Sequence, residues 1–234
     1  NLKEKLIMIY HNITPAKYFK DFNPTLFNLV NEGLKELQKF KNRTTLALGD
    51  SDFNSNELKE MGFKNVATLP IIINFKNYDN PINQPLYKLY QDDFINIIFV
   101  SRICPNKKQE DLLKAFFFYN KYINKKSRLF IIGKYEDFKS YYQQLISLKN
   151  ELNLNQVYFT GLIDFKDLIT YYRLADVFFS MSEHEGFSVP LIECMYFNIP
   201  IVAYNSTALP YTLGNSGILF PEKNYPEVAE LNNY

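Results

Sequence analysis

The chain has 234 residues, of which 47% are hydrophobic, so it is long enough for one or two domains with a buried core and too apolar to be disordered. Its formal net charge of +1 provides no basic excess for nucleic acid, and we expect no nucleic acid partner. The two cysteines, Cys104 and Cys194, match neither metal-ligand nor redox spacing, which indicates buried thiols and a reducing compartment.

The first part of the chain predicts alternating strands and helices. Residues 6–10 form a short apolar run typical of a buried strand, and the HNITP loop follows. A helix is indicated at 24–40, because apolar residues return there with a period near 3.6. The other predicted elements are a strand at 44–48, a short helix capped by Ser51 or Asn54, and a strand at 66–73.

Residues 76–93 are rich in Asn, Asp, Pro and Gln with little periodicity, which predicts a linker. A second alternation of strands and helices begins after it. Strands that are apolar on both faces and alternate with helices predict a parallel sheet covered on both sides. The predicted strands are 95–100, 129–132, 157–160, 177–180 and 201–203, and the predicted helices are 109–122, 141–152, 168–174 and 190–197.

The segment EGFSVPLIE places two carboxylates, Glu185 and Glu193, on either side of a predicted helix start. Pro190 suits the first helical position, which puts Glu193 in the first turn and Glu185 on the preceding loop. Such a pair can flank a ligand with hydroxyl groups at both ends and an anionic middle on the helix N-terminus, as in a sugar nucleotide. The alternative is that Glu193 complements the helix dipole and Glu185 is a solvated loop charge.

Longer stretches around these residues resemble a known family. SEHEGFSVPLIECMYFNIPIVAY is similar to the signature of family 4 glycosyltransferases, which are retaining enzymes of the GT-B fold. FVSRICPNKKQEDLLKAF resembles the G-R-x-x-x-x-K-G segment of that family: Arg102 and Lys107 keep its spacing, while Ser101 and Lys108 replace its glycines. The start, YHNITP, is similar to a subset of these enzymes and extends the resemblance over almost the whole chain.

The resemblance implies an α/β, GT-B-like fold in which residues 94–234 form a Rossmann-type parallel-sheet domain that binds the nucleotide-sugar donor. Residues 1–76 are then the C-terminal part of a second Rossmann-like domain, which binds the acceptor, and 77–93 are the linker. The opening strands of that domain have no counterpart in the sequence, so we expect a fragment truncated at the N-terminus.

The resemblance also implies roles for single residues. Arg102 and Lys107 hold the donor diphosphate, Glu193 accepts hydrogen bonds from the ribose hydroxyls, Glu185 holds a hydroxyl of the donor sugar, and His11 faces the transferred sugar. The expected catalytic residues are Glu185, Arg102, Lys107 and His11, the expected donor-binding residues are Glu193, Gly186, Phe187, Ser188, Gly133 and Gly161, and no metal ligand is expected.

Less specific interpretations of these residues remain open. Arg102 and Lys107 are, without the acidic segment, more typical of solvated loop charges, and a glycine after a strand is ordinary turn chemistry. His11 is also consistent with a loop histidine satisfied by the backbone. His184 lies between two glutamates, and we expect it to be paired and exposed.

The sequence therefore predicts a glycosyltransferase of the hexosyltransferase type that moves a sugar from a nucleoside-diphosphate sugar to a saccharide or lipid-linked acceptor with retention of configuration. We expect no cofactor, since neither a D-x-D motif nor a cluster of His and Asp lies near the predicted diphosphate site in the sequence. Two other hypotheses are a non-catalytic module that binds a sugar nucleotide, and a GT-B-fold sugar-nucleotide epimerase. An NAD-dependent enzyme is disfavoured, because no G-x-G-x-x-G follows a predicted strand.

The sequence contains neither a signal peptide nor a run of ~18 apolar residues that would span a membrane. We therefore expect a cytoplasmic protein. Because lipid-linked acceptors are common for such enzymes, peripheral association with the inner face of the membrane is part of this expectation.

Overall fold

A computed structural model describes residues 4–232 of the chain. The contacts between residues divide the chain into two compact units. The three-stranded unit takes in the chain up to Ile72 together with His184–Val189 and Ser206–Thr212. The six-stranded unit takes in Ile73–Glu183, Pro190–Asn205 and the chain from Leu213 onward.

The three-stranded unit is built on a parallel sheet of order β1-β2-β3. Asn23 caps α1 by accepting from the Leu26 N–H, and Ser51 caps α2 by accepting from the Asn54 N–H, as Asn and Ser commonly do at helix starts. Tyr10, Leu37, Ala47, Leu58 and Phe63 form its buried core. The elements are β1 Leu6–Tyr10, α1 Pro24–Phe40, β2 Thr44–Gly49, α2 Asp52–Glu60 and β3 Val66–Thr68.

Two expectations about these strands are wrong. Strand β1 lies at an edge of the sheet, and Ile7 and Ile9 on one of its faces are 60% and 52% exposed, so the strand is not fully buried. Strand β3 ends at Thr68 rather than continuing to Ile73, because Pro70 follows and has no N–H to donate to a ladder.

The six-stranded unit is built on a parallel sheet of order β6-β5-β4-β7-β8-β9. Every strand of the predicted set is present, and the fully buried β5 has the apolar character expected of a parallel sheet covered on both faces. After β3, the elements in chain order are α3 Gln84–Tyr90, β4 Ile95–Val100, α4 Gln109–Phe118, β5 Ser127–Ile132, α5 Lys139–Glu151, β6 Val157–Gly161, α6 Phe165–Leu174, β7 Val177–Ser180, α7 Val189–Tyr196, β8 Ile201–Tyr204, α8 Leu209–Leu213, β9 Ile218–Phe220 and α9 Tyr225–Leu231. All but the last residue of α8 belong to the three-stranded unit.

The order of the strands creates a topological switch point. The chain proceeds outward from β4 through β5 to β6 and then crosses back to place β7 on the other side of β4. In open parallel sheets, ligands bind outside the carboxyl ends of the strands at such a point. The predicted α/β fold class with parallel sheets is confirmed.

The segment predicted as an irregular linker contains two short helical elements. A 3-10 helix spans Phe75–Asp79, and α3 spans Gln84–Tyr90 with Asn83 as its capping residue. The ring of Phe75 stacks on Tyr196 of α7 with centroids 4.5 Å apart, and Tyr78 packs edge-on against Phe165 at 4.9 Å. Elements of five to seven residues are too short to show a helical period.

Within residues 4–232, no helix combines the length and the apolar character needed to cross a lipid bilayer.

Candidate active site

A cavity of about 310 Å³ lies at the carboxyl ends of β4, β5 and β6 in the six-stranded unit. Most of its wall is aliphatic, and the exposed Arg102 is one of its lining residues. A site of this kind suits a ligand with a flat ring and an adjoining anionic group. Its lining residues are Val100, Ser101, Arg102, Ile132, Gly133, Lys134, Gly161, Leu162, Ile163, Leu168 and Pro190.

Gly133 lets the ends of β4 and β5 approach each other closely. Its φ is 148°, and a Cβ atom added there would lie 2.1 Å from the Ser101 carbonyl oxygen. The Gly133 N–H donates to the carbonyl of Gly161 at 3.1 Å, and the Ser101 N–H donates to Ile132 at 2.9 Å. Backbone contacts therefore join three strand ends at the floor of the cavity, where a side chain at position 133 would not fit.

The structure brings together three of the predicted site residues, Arg102, Gly133 and Gly161, as lining of one cavity. The Arg102 carbonyl accepts from Gln109 Nε2 at 3.0 Å, which fixes the loop while leaving the guanidinium exposed. Lys107 ends a 3-10 turn, Pro105–Lys107, on the same loop. Among the described residues, the lining of the cavity does not include Lys107 or Glu193.

Lys108 stands where the resemblance expects a glycine, and it adopts the left-handed conformation with a φ of 53°. Its Nζ lies 3.3 Å from Glu110 Oε1 and 3.7 Å from Glu183 Oε2. Burial opposes the charged form of Lys108, but these two carboxylates outweigh burial and raise its pKa. The Lys108 side chain therefore forms ion pairs within the protein at a position that favours glycine.

Glu193 lies on α7, is 6% exposed, and accepts a tyrosine hydroxyl on each oxygen. Tyr78 donates to Oε1 at 2.5 Å and Tyr172 donates to Oε2 at 2.6 Å. Burial and the neighbouring carboxylate raise the pKa of both tyrosines, so both remain donors. Because α7 begins at Val189, Glu193 lies beyond the first turn, and that expectation is wrong.

We expect Tyr172→Phe to lower the free energy of unfolding by about 1–3 kcal/mol, because it leaves one oxygen of a buried carboxylate without a donor. Urea denaturation followed by circular dichroism measures this loss. Tyr196→Phe is the matched control, since the Tyr196 hydroxyl donates to the exposed Asp79 at 2.6 Å and water can replace it. Equal losses for the two variants would contradict the assignment.

The loop that contains Glu185, Gly186 and Phe187, His184–Val189, belongs to the three-stranded unit. A Cβ at Gly186 would lie 2.9 Å from the His11 carbonyl oxygen and 2.9 Å from the Asn12 Cβ. Ser51 Oγ donates to the Gly186 carbonyl at 2.7 Å, and the Glu185 N–H donates to Thr207 Oγ1 at 2.8 Å. The structure therefore places the backbone of His11 directly beside the loop that carries Glu185.

The next two residues of this loop have different environments. Phe187 is 9% exposed, and its carbonyl accepts from Thr212 Oγ1 at 2.6 Å. Ser188 has a φ of 71°, a left-handed conformation that turns the chain just before α7 begins.

The two histidines differ in environment. The His11 side chain is 67% exposed, and its Nδ1 lies 3.1 Å from Oδ2 of the buried Asp50, so its partner is a side chain rather than the backbone. His184 is 5% exposed, and its ring lies 6.4 Å from Tyr18 and 6.3 Å from Phe53 between ring centroids. The expectation that His184 is exposed is wrong.

Four residues that the sequence did not predict contact the predicted site residues: Asp50, Tyr78, Tyr172 and Thr207. Of these four, Asp50 carries a signal in the sequence, because it follows a strand and precedes a helix cap, a common place for functional side chains. The two tyrosines lie far from Glu193 in the sequence, in segments with no motif. Among residues 4–232, no group of three or more His, Cys, Asp or Glu side chains is arranged to hold a metal ion.

The sequence model of the family described as glycosyl transferases group 1 matches residues 88–233, more than half of the chain. The chain belongs to the group 1 glycosyltransferases. An uncharacterized glycosyltransferase of Methanocaldococcus jannaschii is 26% identical over 232 residues, which cover 97% of this chain and 57% of that protein. The alpha-monoglucosyldiacylglycerol synthase of Acholeplasma laidlawii is 33% identical over 144 residues, which cover 60% of this chain and 34% of that protein.

Solved structures of similar fold support the assignment of this group 1 glycosyltransferase to the GT-B architecture. Anabaena HepE, solved in complex with UDP and glucose, superimposes with a TM-score of 0.78 at 18% identity, over 99% of this chain and 61% of that chain. The sucrose-phosphate synthase of Thermosynechococcus elongatus gives 0.76 at 21% identity, over 97% of this chain and 57% of that chain. The chain thus spans less than two thirds of the length of these relatives.

Proposed function

We propose that the protein containing this chain transfers a hexose from a nucleoside-diphosphate sugar to a saccharide or lipid-linked acceptor with retention of configuration, as expected of family 4. The observation that carries the proposal is the aliphatic cavity at the switch-point edge of the six-stranded sheet, with the exposed Arg102 in its lining. In a group 1 glycosyltransferase, such a cavity suits a nucleobase, and the guanidinium suits the diphosphate attached to it.

Arg102 has the main electrostatic role in this proposal. Cleavage of the bond between sugar and phosphate leaves additional negative charge on the departing diphosphate, which the enzyme must stabilise more strongly in the transition state than in the ground state. A guanidinium offers two parallel donors to phosphate oxygens, and Lys107 on the same loop adds an ammonium. The backbone N–H groups of Gly186, Phe187 and Ser188 add neutral donors.

The carboxylates and His11 would bind the sugar portions. Glu185 accepts from a hydroxyl of the donor sugar, and His11 interacts with the transferred sugar. Glu193 binds the ribose hydroxyls with the lone pairs that remain after Tyr78 and Tyr172 have donated, since a carboxylate offers about four acceptor sites. The positive groups named above perform the charge stabilisation, so the proposal includes no resident metal or cofactor.

The acceptor class and the location of the protein are also proposals. The name of the Acholeplasma relative indicates a lipid product, and a lipid-linked acceptor would bring a cytoplasmic protein to the inner face of a membrane. A saccharide acceptor would not require this association, so vesicle binding with and without a lipid-linked acceptor distinguishes the two.

We expect one nucleoside diphosphate among UDP, GDP and ADP to stabilise the chain against thermal unfolding, by about 2.7 kcal/mol when its concentration is 100 times the dissociation constant. The matching nucleoside, which lacks phosphates, should stabilise it much less at the same concentration. Equal stabilisation by nucleoside and diphosphate would contradict recognition of the diphosphate, and no stabilisation by any of the three would contradict the site.

Catalysis is tested on the full-length protein with the sugar form of the diphosphate that binds. Transfer to an acceptor with the donor's anomeric configuration, read by nuclear magnetic resonance of the product, supports the proposal. Binding without transfer or hydrolysis would indicate a non-catalytic module. A changed sugar in the absence of acceptor would indicate an epimerase.

A further inference from the structure

A chain of hydrogen-bonded side chains runs from the interior of the three-stranded unit to its surface. Asn12 Nδ2 donates to Glu57 Oε2 and to Asn54 Oδ1, at 2.6 Å in both cases. Asn54 Nδ2 donates to Asp50 Oδ1, and Asp50 Oδ2 lies 3.1 Å from Nδ1 of His11. This row of hydrogen-bonded side chains therefore begins with the carboxylate of Glu57, includes a second carboxylate at Asp50, and ends at the surface with the exposed imidazole of His11.

The carboxylates determine which way each amide points. An ionised carboxylate only accepts hydrogen bonds, so the NH₂ group of Asn54 must face Asp50, and its carbonyl oxygen must face Asn12. The NH₂ group of Asn12 then faces both Asn54 and Glu57. By the same rule, the His11 nitrogen that faces Asp50 must carry a proton.

Helix capping does not account for the burial of Asp50. Asp50 is 2% exposed, whereas the N-cap of the following helix is Ser51, which accepts from the Asn54 N–H at 3.2 Å. A buried carboxylate is costly unless donors satisfy it, and the side-chain donors it meets are Asn54 and His11. Asp50 is thus placed to act on the orientation of the His11 ring.

We propose that Asp50 is a positioning residue that holds His11 in the Nδ1–H tautomer, so that the Nε2 lone pair is presented outward as a hydrogen-bond acceptor for a sugar hydroxyl. The identity of the hydroxyl-bearing ligand rests on the proposed function, whereas the tautomer does not. The exposed side chain, at 67%, leaves Nε2 accessible. Free histidine prefers the opposite tautomer, so the predicted state differs from the default.

The tautomer is measured by long-range ¹H–¹⁵N correlation spectra of the chain labelled with ¹⁵N-histidine, in a solution alkaline enough to keep imidazole neutral. The chain has two histidines, so His184→Gln assigns the spectrum. We expect the His11 signals of the Nδ1–H form in the unmodified chain. If the spectrum of the unmodified chain showed His11 mainly as the Nε2–H tautomer, the proposal would be overturned, and no variant would be needed to reach that conclusion.

Asp50→Asn tests the cause. The new NH₂ group cannot face Asn54, which presents its own NH₂ group, so it must face His11 and requires an unprotonated Nδ1. We expect His11 to change to the Nε2–H tautomer. Asp52→Asn is the matched control, because it also removes one negative charge and lies only two positions from Asp50. The Asp52 carboxylate is exposed and accepts a hydrogen bond from the Thr68 hydroxyl at 2.6 Å. A change in the control as well, or in neither variant, would overturn the proposal.

The role in catalysis is tested separately in the full-length protein. Asp50→Asn should lower kcat by on the order of 100-fold, because the imidazole no longer presents an acceptor, while KM for the donor changes little. A tautomer change without a kinetic effect would retain the positioning role of Asp50 and refute the role of His11 toward the sugar. If the enzyme proves inactive on every sugar nucleotide, the proposed function fails and the tautomer result stands.

Discussion

Replacing Arg102 with alanine is expected to lower turnover of the full-length enzyme by about 100- to 1000-fold, while its affinity for the nucleoside changes much less. Arg102 lines the cavity and is exposed, so we expect its loss to affect the fold little. Its largest contribution comes when the diphosphate departs with additional charge, which is a transition-state effect. Steady-state kinetics and nucleoside calorimetry measure the two quantities.

Arg43→Ala is the control for the loss of one positive charge, because Arg43 is an exposed arginine of the three-stranded unit. It should leave both turnover and nucleoside affinity unchanged. If Arg102→Ala weakened nucleoside binding and turnover by the same factor, the role of Arg102 would be limited to ground-state binding. Unchanged kinetics would remove Arg102 from the site altogether.

Gly133→Ala is expected to produce the largest loss of stability, about 3 kcal/mol or more in the free energy of unfolding. Its Cβ would lie 2.1 Å from the carbonyl oxygen of Ser101, so backbone rather than a flexible side chain must move. The φ of 148° is also one that alanine rarely adopts. Because Gly133 lines the cavity, the variant should bind nucleoside diphosphate weakly at temperatures where it is still folded.

Gly214→Ala separates the two causes of this loss. Gly214 has a positive φ of 54°, but an added Cβ would meet no heavy atom within 4 Å, so only backbone strain is introduced. We expect about 1 kcal/mol there. Guanidinium denaturation of both variants gives the comparison. Equal losses would show that close approach of β4 and β5 is not what requires glycine at position 133.

The elements that could be predicted from the sequence are those whose residue pattern is local. The strands Ile95–Val100 and Val177–Ser180 have the predicted bounds, and Pro24–Phe40 is the predicted helix, because an uninterrupted apolar run or a 3.6 period is visible over its own residues. The helical turns around Phe75 and Gln84 were missed, since they are stabilised by contacts with distant rings and by asparagine caps rather than by periodicity.

In the candidate site, too, some features are visible in the local sequence and others depend on contacts between distant segments. The roles of Arg102, Gly133 and Gly161 were predicted from the family resemblance, and the structure brings the three together because each follows or ends a strand of one parallel sheet. The tyrosines that bond Glu193 and the carboxylate that bonds His11 depend on pairings between segments far apart in the chain. No spacing in a single sequence records such pairings, so the structure was needed to find them.

A crystal structure of the chain with the nucleoside diphosphate that stabilises it most tests the central claim directly. We predict that the base lies in the cavity between Gly133 and Gly161, and that the Arg102 guanidinium donates to phosphate oxygens. A nucleotide bound elsewhere, or one bound in the cavity with its phosphates directed away from Arg102, would contradict this account of the site.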